Sequence, residues 1–413
     1  MRKLDPYQIR EDFPMYHEHN SSFKGKPLVY LDNSATTFKP YPVIESVNHY
    51  YKDITANTRR GDYSLAHEAD VAFEASRKTV AKFLNAETDE ICFTSGDTMA
   101  LNEIAYGLIP FLHEGDEILL SIEEHASNIL PWFKVAEITK AFIRYLPLEE
   151  DGRISIETYK KYLNSHTKVV SLASVSNVMG YPLPVKELCA LAHEKGALYI
   201  DDAAQSVPHM KIDVKETDVD FLAFSAHKML GPTGIGVLYG KRDLLEKISP
   251  TFYGGEMNAR FDKEGNLSYD DIPYRLEAGT QNIAGVLGLK SAIEYLEEIG
   301  FEQIHQHEMA LKKRAVEGLL QNGNAVIYNS ESESGIVTFN IKDVFAQDVA
   351  TYLSSKGVFV RSGQHCAKIL PEHLKTQGTV RASFYIYNTI EDVDALIKAC
   401  QTAEDFLDAF FLE

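Results

Sequence analysis

The chain has 413 residues, 45% hydrophobic and 24% charged, with a formal net charge of −19. That length allows two or three domains around a large core, and the acidity argues against nucleic acid as a partner. A charged N-terminus without an apolar stretch argues against a signal peptide, and no apolar run is long enough to span a bilayer. The four cysteines, Cys92, Cys189, Cys366 and Cys400, are far apart. They form neither a CxxC pair nor a zinc spacing, so no metal and a reduced, cytoplasmic setting are expected.

Residues 1–25 read as an N-terminal arm. From about residue 90 to 240, short apolar strands alternate with helical segments, with strands predicted over 91–94, 117–121, 142–146, 169–173, 198–200, 221–224 and 235–239. Between the fourth and fifth, apolar residues at 185, 188, 191 and 192 mark a helix that Gly196 stops. This βαβ rhythm predicts an α/β protein whose large domain, 26–294, has three α/β/α layers around a mostly parallel seven-stranded sheet. The last two strands are too close for a crossover helix, so they are expected to be antiparallel. From about residue 295 the rhythm changes: a helix over 291–320, a solvated turn over 330–334, a strand over 336–341 and a helix over 347–356. A strand over 358–361, another over 380–386 and a long helix from Thr389 follow. A smaller α+β C-terminal domain, 295–413, is expected, joined by the arm.

Ligands of such sheets sit beyond the carboxyl ends of the strands, and polar groups collect there. Thr94-Ser-Gly-Asp-Thr98 follows a strand and opens a helix, so hydroxyls and free N–H groups make an anion site. Asp97 is awkward beside a phosphate, tolerable only if its side chain points away or caps the helix. His125 closes a strand, where an imidazole could stack on a ring or move protons. Asp202 and Gln205 end one core strand; Ser225, His227 and Lys228 end the next. A carboxylate, an amide and a lysine so placed suit pyridoxal phosphate, the carboxylate pairing with the ring nitrogen and the lysine holding the aldehyde. Ser225, His227 and Thr280 add phosphate donors. Gly231 to Gly240 fails as a dinucleotide motif, because Tyr239 stands where the third glycine of GxGxxG belongs. Cys366 lies in a polar loop with Arg361, His365 and Lys368, a setting that favours thiolate. Arg381 has the forked donors that clamp a substrate carboxylate.

Together with Tyr30-Leu-Asp-Asn-Ser-Ala-Thr, Glu124-His-Ala-Ser-Asn-Ile-Leu-Pro-Trp132, Val175-Ser-Asn-Val-Met-Gly180, Arg275-Leu-Glu-Ala-Gly-Thr280 and Arg381 to Asn388, these blocks resemble class V aminotransferases. The likeness is strongest to their SufS-like cysteine desulfurases, and it runs over essentially the whole chain. It implies a homodimer that converts L-cysteine to L-alanine. Lys228 would carry the cofactor and serve as base, His125 would stack on the ring, and Asp202 and Gln205 would hold its nitrogen and phenolic oxygen. Asn177 would lie close to cofactor and substrate. Thr98, Ser225 and His227 would bind phosphate with Thr280 of the partner subunit. Arg381 would take the substrate carboxylate, and Cys366 would receive the sulfur. The short loop between Val360 and Ile369 implies hand-over to an acceptor protein of the SufE/SufU type, with iron–sulfur cluster assembly as the destination. Gln364, Ala226 and Asp97 depart from the family pattern, where histidine, glycine and a small or hydroxylated residue are common. On the same fold, a selenocysteine lyase, a cysteine or cystine C–S lyase, or an aminotransferase are the alternatives.

Overall fold

A computed structural model describes residues 2–17, 22–23, 25–59, 61–257 and 260–407. Its largest sheet has seven strands in the order Ile91–Thr94, Gly236–Gly240, Phe221–Ser225, Leu198–Asp202, Thr167–Ala173, Glu117–Ser121 and Phe142–Leu146. Gly236–Gly240 pairs antiparallel with both neighbours; every other pairing is parallel. Short strands of alternating direction in side chain, apolar on both faces, require helices on both faces. Leu222 and Phe224 accordingly join a core with the helices Ser64–Leu84, Val185–Glu194 and Ile283–Ile299. Phe221 and Ala223 join another with Asp97–Gly107 and Leu130–Thr139. The α/β architecture and the three layers follow. Gly196, at φ +73°, ends its helix as expected.

A four-stranded antiparallel sheet runs Ala325–Ile327, Ile336–Ile341, Thr379–Ser383, Arg361–Gly363. It shares a core with the helices Phe301–Gln321, Ala346–Ser355 and Ile390–Gln401. Thr389 caps the last of these in a capping box with Asp392. The amino-terminal segment lies against this region: the Leu4 N–H donates to Gln303 Oε1 (3.0 Å), Tyr7 Oη to Glu391 (2.6 Å) and Arg10 Nε to the Tyr387 carbonyl (2.7 Å).

Three expectations are corrected. The helix foreseen over 291–320 is two helices, Ile283–Ile299 and Phe301–Gln321, separated by Gly300 at φ +92°. The strand foreseen over 358–361 is also two: Val358–Phe359 pairs with Val29–Tyr30, and Arg361–Gly363 joins the small sheet. The turn over 330–334 is not merely solvated. Ser332 and Ser334 are buried, and the Lys312 ammonium donates to the Ser332 and Asn329 carbonyls (2.6 and 3.1 Å). Its serines turn inward while Glu331 and Glu333 stay outside, which composition alone does not separate.

Candidate active site

Because the parallel strands end on one side of the large sheet, their last residues converge. Asp202 and Ser225 are the final residues of adjacent strands, Lys228 closes the single turn after Ser225, and Thr98 is the second residue of the helix after Ile91–Thr94. The small sheet brings Arg381 and the Cys366 loop over these ends. The result is a cavity of about 250 Å³ lined by Asp97, Thr98, His125, Asn177, Gln205, Ser225, His227, Lys228, His365, Cys366 and Arg381, with Ser34, Ala35, Ser127 and Arg361. Of the residues expected at the site, Asp202 lies buried beneath, with its Oδ1 accepting from the Ala204 N–H (3.1 Å). Thr280 does not reach this cavity; it lines another, with Phe93, Thr94, Met99 and Glu103.

The anion end is held by short bonds. The Thr98 and Ser127 hydroxyls share a hydrogen bond of 2.6 Å, and Ser225 Oγ accepts from the Asp97 N–H (2.7 Å). The Ser127 N–H donates to His125 Nδ1 (3.2 Å), which leaves Nε2 as the protonated ring nitrogen. Burial, then Lys228 and Arg381, hold His125 at about 4, so its ring is neutral. His227 is also held at about 4, by burial, then Lys228 and Lys39. Lys228 is pushed down by burial, with Asp97 and Asp202 acting in the opposite direction. An amine that sheds its proton more easily is a better nucleophile towards an aldehyde.

At the other end Arg381 is 2% exposed. It donates to the Asn177 carbonyl (2.8 Å) and to Asp32 (3.2 Å), and Asp32 also pairs with Arg361 (3.0 Å). Arg381 Nε has no partner, nor do Asn177 Oδ1 and Gln205 Oε1, whose residues also line the cavity. Buried polar atoms without partners are uncommon away from ligand sites.

Cys366 is exposed at the same cavity. It and His365 are consecutive non-glycine residues in left-handed conformation, at φ +61° and +51°. Such backbone persists only where surroundings impose it. Here the Ala126 N–H donates to the Cys366 carbonyl (2.9 Å) and Asn177 Nδ2 to the His365 carbonyl (2.8 Å), so the large sheet's loops grip the small sheet's cysteine turn.

Two expectations about charge are corrected. His365 adds no positive charge beside the thiol: it is buried with Nε2 on Thr379 (2.9–3.1 Å), and burial, then Arg381, hold it at about 3. Asp97 neither points away nor caps its helix. Gly96 is the cap residue, and the Asp97 side chain lines the cavity with Oδ1 unpartnered. Sequence reasoning gave no role to Asp32, Ser34, Ser127 or Glu124, although all four lie within the blocks that carry the family resemblance. The Glu124 carboxyl accepts from Ser121 Oγ (2.7 Å), Asn128 Nδ2 (2.8 Å) and the Ala173 N–H (3.0 Å), which fixes the loop that presents His125.

Comparison with known proteins shows the family. The family model described as Aminotransferase class-V matches residues 29–396. A protein named "Probable cysteine desulfurase" from Halalkalibacterium halodurans is 45% identical over 99% of this chain and 100% of its own. Among solved structures, the apo cysteine desulfurase of Thermococcus onnurineus superposes with a TM-score of 0.91 at 36% identity, covering 97% of this chain and 98% of that one. The cysteine desulfurase CsdA of Escherichia coli, an S-sulfonic acid form, gives 0.90 at 35% identity over 98% and 99%. The cofactor of such proteins is pyridoxal phosphate, and the residues present fit it. One lysine meets the cavity beside a buried carboxylate, a helix end offers hydroxyls and N–H groups, and unpaired amide and guanidinium atoms surround the space between.

Proposed function

This chain belongs to the class-V aminotransferase family and is a pyridoxal-phosphate enzyme of the cysteine desulfurase kind, and from that premise we propose that Cys366 takes up the sulfur of L-cysteine as a persulfide. The observation that carries this is the exposed Cys366 thiol on the wall of the cavity that also holds Lys228 and Arg381. When bound, the cofactor supplies an electrophilic aldehyde and an electron-accepting pyridinium ring. Thr98, Ser225 and His227 would hold its phosphate, Asp202 would pair with the ring nitrogen, Gln205 would meet the phenolic oxygen, and neutral His125 would lie against the ring. Lys228 would hold the aldehyde and would move the α-proton at Nζ. Arg381 takes the substrate carboxylate, with Asn177 alongside. Cys366 Sγ, as thiolate, forms a bond to the substrate sulfur while the C–S bond breaks and its electron pair passes to the substrate carbon. Protonation there yields alanine, and the enzyme keeps one extra sulfur, so L-cysteine plus thiol becomes L-alanine plus persulfide without an outside oxidant.

In the same reading the protein is a homodimer, because Thr280 lines a cavity away from Lys228 of its own chain and is available to a partner's phosphate. Residues 1–25 are the arm, 26–294 bind the cofactor and 295–413 carry the cysteine turn. The sulfur passes to an acceptor protein of the SufE/SufU type for iron–sulfur cluster assembly in the cytoplasm. Among the described residues no helix is long and apolar enough to cross a membrane.

The test compares wild type with Cys366→Ala on L-cysteine with a reductant. Equal alanine and sulfide, reduced at least about a hundredfold in the variant, is the expected result. Unchanged turnover in the variant would sink the persulfide step, and pyruvate with ammonia from wild type would mark a C–S lyase instead.

A further inference from the structure

Asp97 is the one acid on the wall of the cavity. It opens the helix Asp97–Gly107 and is 6% exposed. Its N–H is tied to Ser225 Oγ at 2.7 Å, yet its Oδ1 is buried without a partner. The backbone beneath it has no room to retreat: a Cβ on Gly236 would stand 2.5 Å from Gly96 Cα and 2.7 Å from the Phe224 carbonyl oxygen. The carboxyl therefore shares the anion end with Thr98, Ser225 and His227. Asp202 and Asp201 act on it from the strand Leu198–Asp202, and Lys228 from the turn after Ser225. The three imidazoles of the cavity, His125, His227 and His365, are neutral. Burial and then Asp202 push the Asp97 carboxyl well above the usual carboxylate range, against the pull of Lys228.

We infer that Asp97 belongs to the phosphate cradle as an acid, its carboxyl O–H donating a hydrogen bond to the cofactor phosphate. A carboxylate facing a phosphate monoester in an enclosed site would set two anions side by side, whereas a carboxylic acid supplies a donor and gives the orphan oxygen a partner. The hydroxyls of Thr98 and Ser225 hold phosphate equally at any ordinary pH; an acid does not. Affinity for the phosphate is kept while Asp97 holds its proton and lost as pH rises and removes it. The inference rests on the phosphate sitting at this helix end and is independent of the chemistry at Cys366.

The experiment titrates full-length protein, stripped of cofactor, with pyridoxal phosphate and separately with pyridoxal, following absorbance from about pH 6.5 to about pH 9.5. The phosphate's own second ionisation, near about 6, lies below that window. The ratio of the two affinities isolates the phosphate contribution, because Lys228 and the ring act on both probes. In wild type the phosphate advantage falls about tenfold or more across the window, about one pKa step of interaction. In Asp97→Asn, and in Asp97→Ser as a second neutral variant, it stays level. A level wild-type ratio, or neutral variants that decline in parallel with wild type, overturns the inference. Thr98→Ala tests the seat itself: it lowers the advantage by a similar factor at every pH. No loss in Thr98→Ala places the phosphate elsewhere and overturns both the seat and the role of Asp97.

Discussion

Arg381 shows how one side chain can be spent on both structure and recognition. Two of its nitrogens already bond the Asn177 carbonyl and Asp32, and Nε is left over in the buried wall of the cavity. A lysine cannot reproduce that fork. Arg381→Lys is expected to raise KM for L-cysteine about tenfold to a hundredfold, roughly 1.4–2.8 kcal/mol, while Cys366 still reacts with a small thiol reagent. An unchanged KM would remove Arg381 from substrate binding. His365 gives a prediction in pH. Its folded value of about 3 lies below the ordinary value near about 6.5, so the unfolded chain binds the proton first as pH falls. Stability is therefore whole above about 6.5 and declines towards about 3, at up to about 1.4 kcal/mol per pH unit from this residue. Denaturant unfolding of His365→Gln should show a shallower acid slope; an identical slope would mean the imidazole is charged in the fold. Of these residue-level facts, Arg381 and Cys366 were legible in the chain because their chemistry is distinctive. The neutrality of His365 was not, because it comes from burial and then from Arg381 on the neighbouring strand, which outweigh the Thr379 hydrogen bond acting the other way.

Elements are pinned to the site by a buried ion network. Glu277 accepts from Arg77 at 2.7 and 2.9 Å, from Arg59 at 2.7 Å and from the Phe93 N–H at 2.8 Å. Burial alone would raise its carboxyl, but the two guanidiniums outweigh that and hold it below the usual range. The helix Ser64–Leu84, the strand Ile91–Thr94 and the segment carrying Thr280 are thereby joined. Removing the carboxylate leaves Arg77, 1% exposed, with only the part-exposed Glu74 (3.1 Å) as a charge partner. Glu277→Ala should lower unfolding free energy by about 3–5 kcal/mol, measured by denaturant titration; a loss under about 1 kcal/mol would show the network to be dispensable. Because the folded pKa is depressed, this contribution is present at neutral pH and lost as pH falls through it. Element positions in the large sheet followed from apolar runs bounded by polar ends. The break at Gly300 and the split of residues 358–363 between two sheets did not, since a helical pattern continues across Gly300 and adjacent strands share one apolar pattern.

At the scale of the molecule, the placement of Thr280 away from Lys228 makes the proposed dimer testable by mixing. A Lys228→Ala chain cannot hold the aldehyde, and a Thr280→Ala chain offers its partner a weakened phosphate seat. A mixed dimer holds one site with both residues intact. Its affinity for pyridoxal phosphate at that site should return to wild type, while Thr280→Ala alone stays weaker by about tenfold to a hundredfold, the worth of one hydrogen bond to a charged group. No recovery on mixing, or a monomer in sedimentation, would end the dimer reading. Strand periodicity was enough, without coordinates, for the α/β class and the seven strands, because two-residue alternation is a local property, and the ordered motifs were enough to nominate the lysine, carboxylate and cysteine, because side-chain chemistry at strand ends is local too. Closure of the chain settled the rest. Asp97 faces the cavity, His365 is neutral, the 330–334 serines turn inward and Glu124 braces the His125 loop, because charge state and burial depend on neighbours from remote segments.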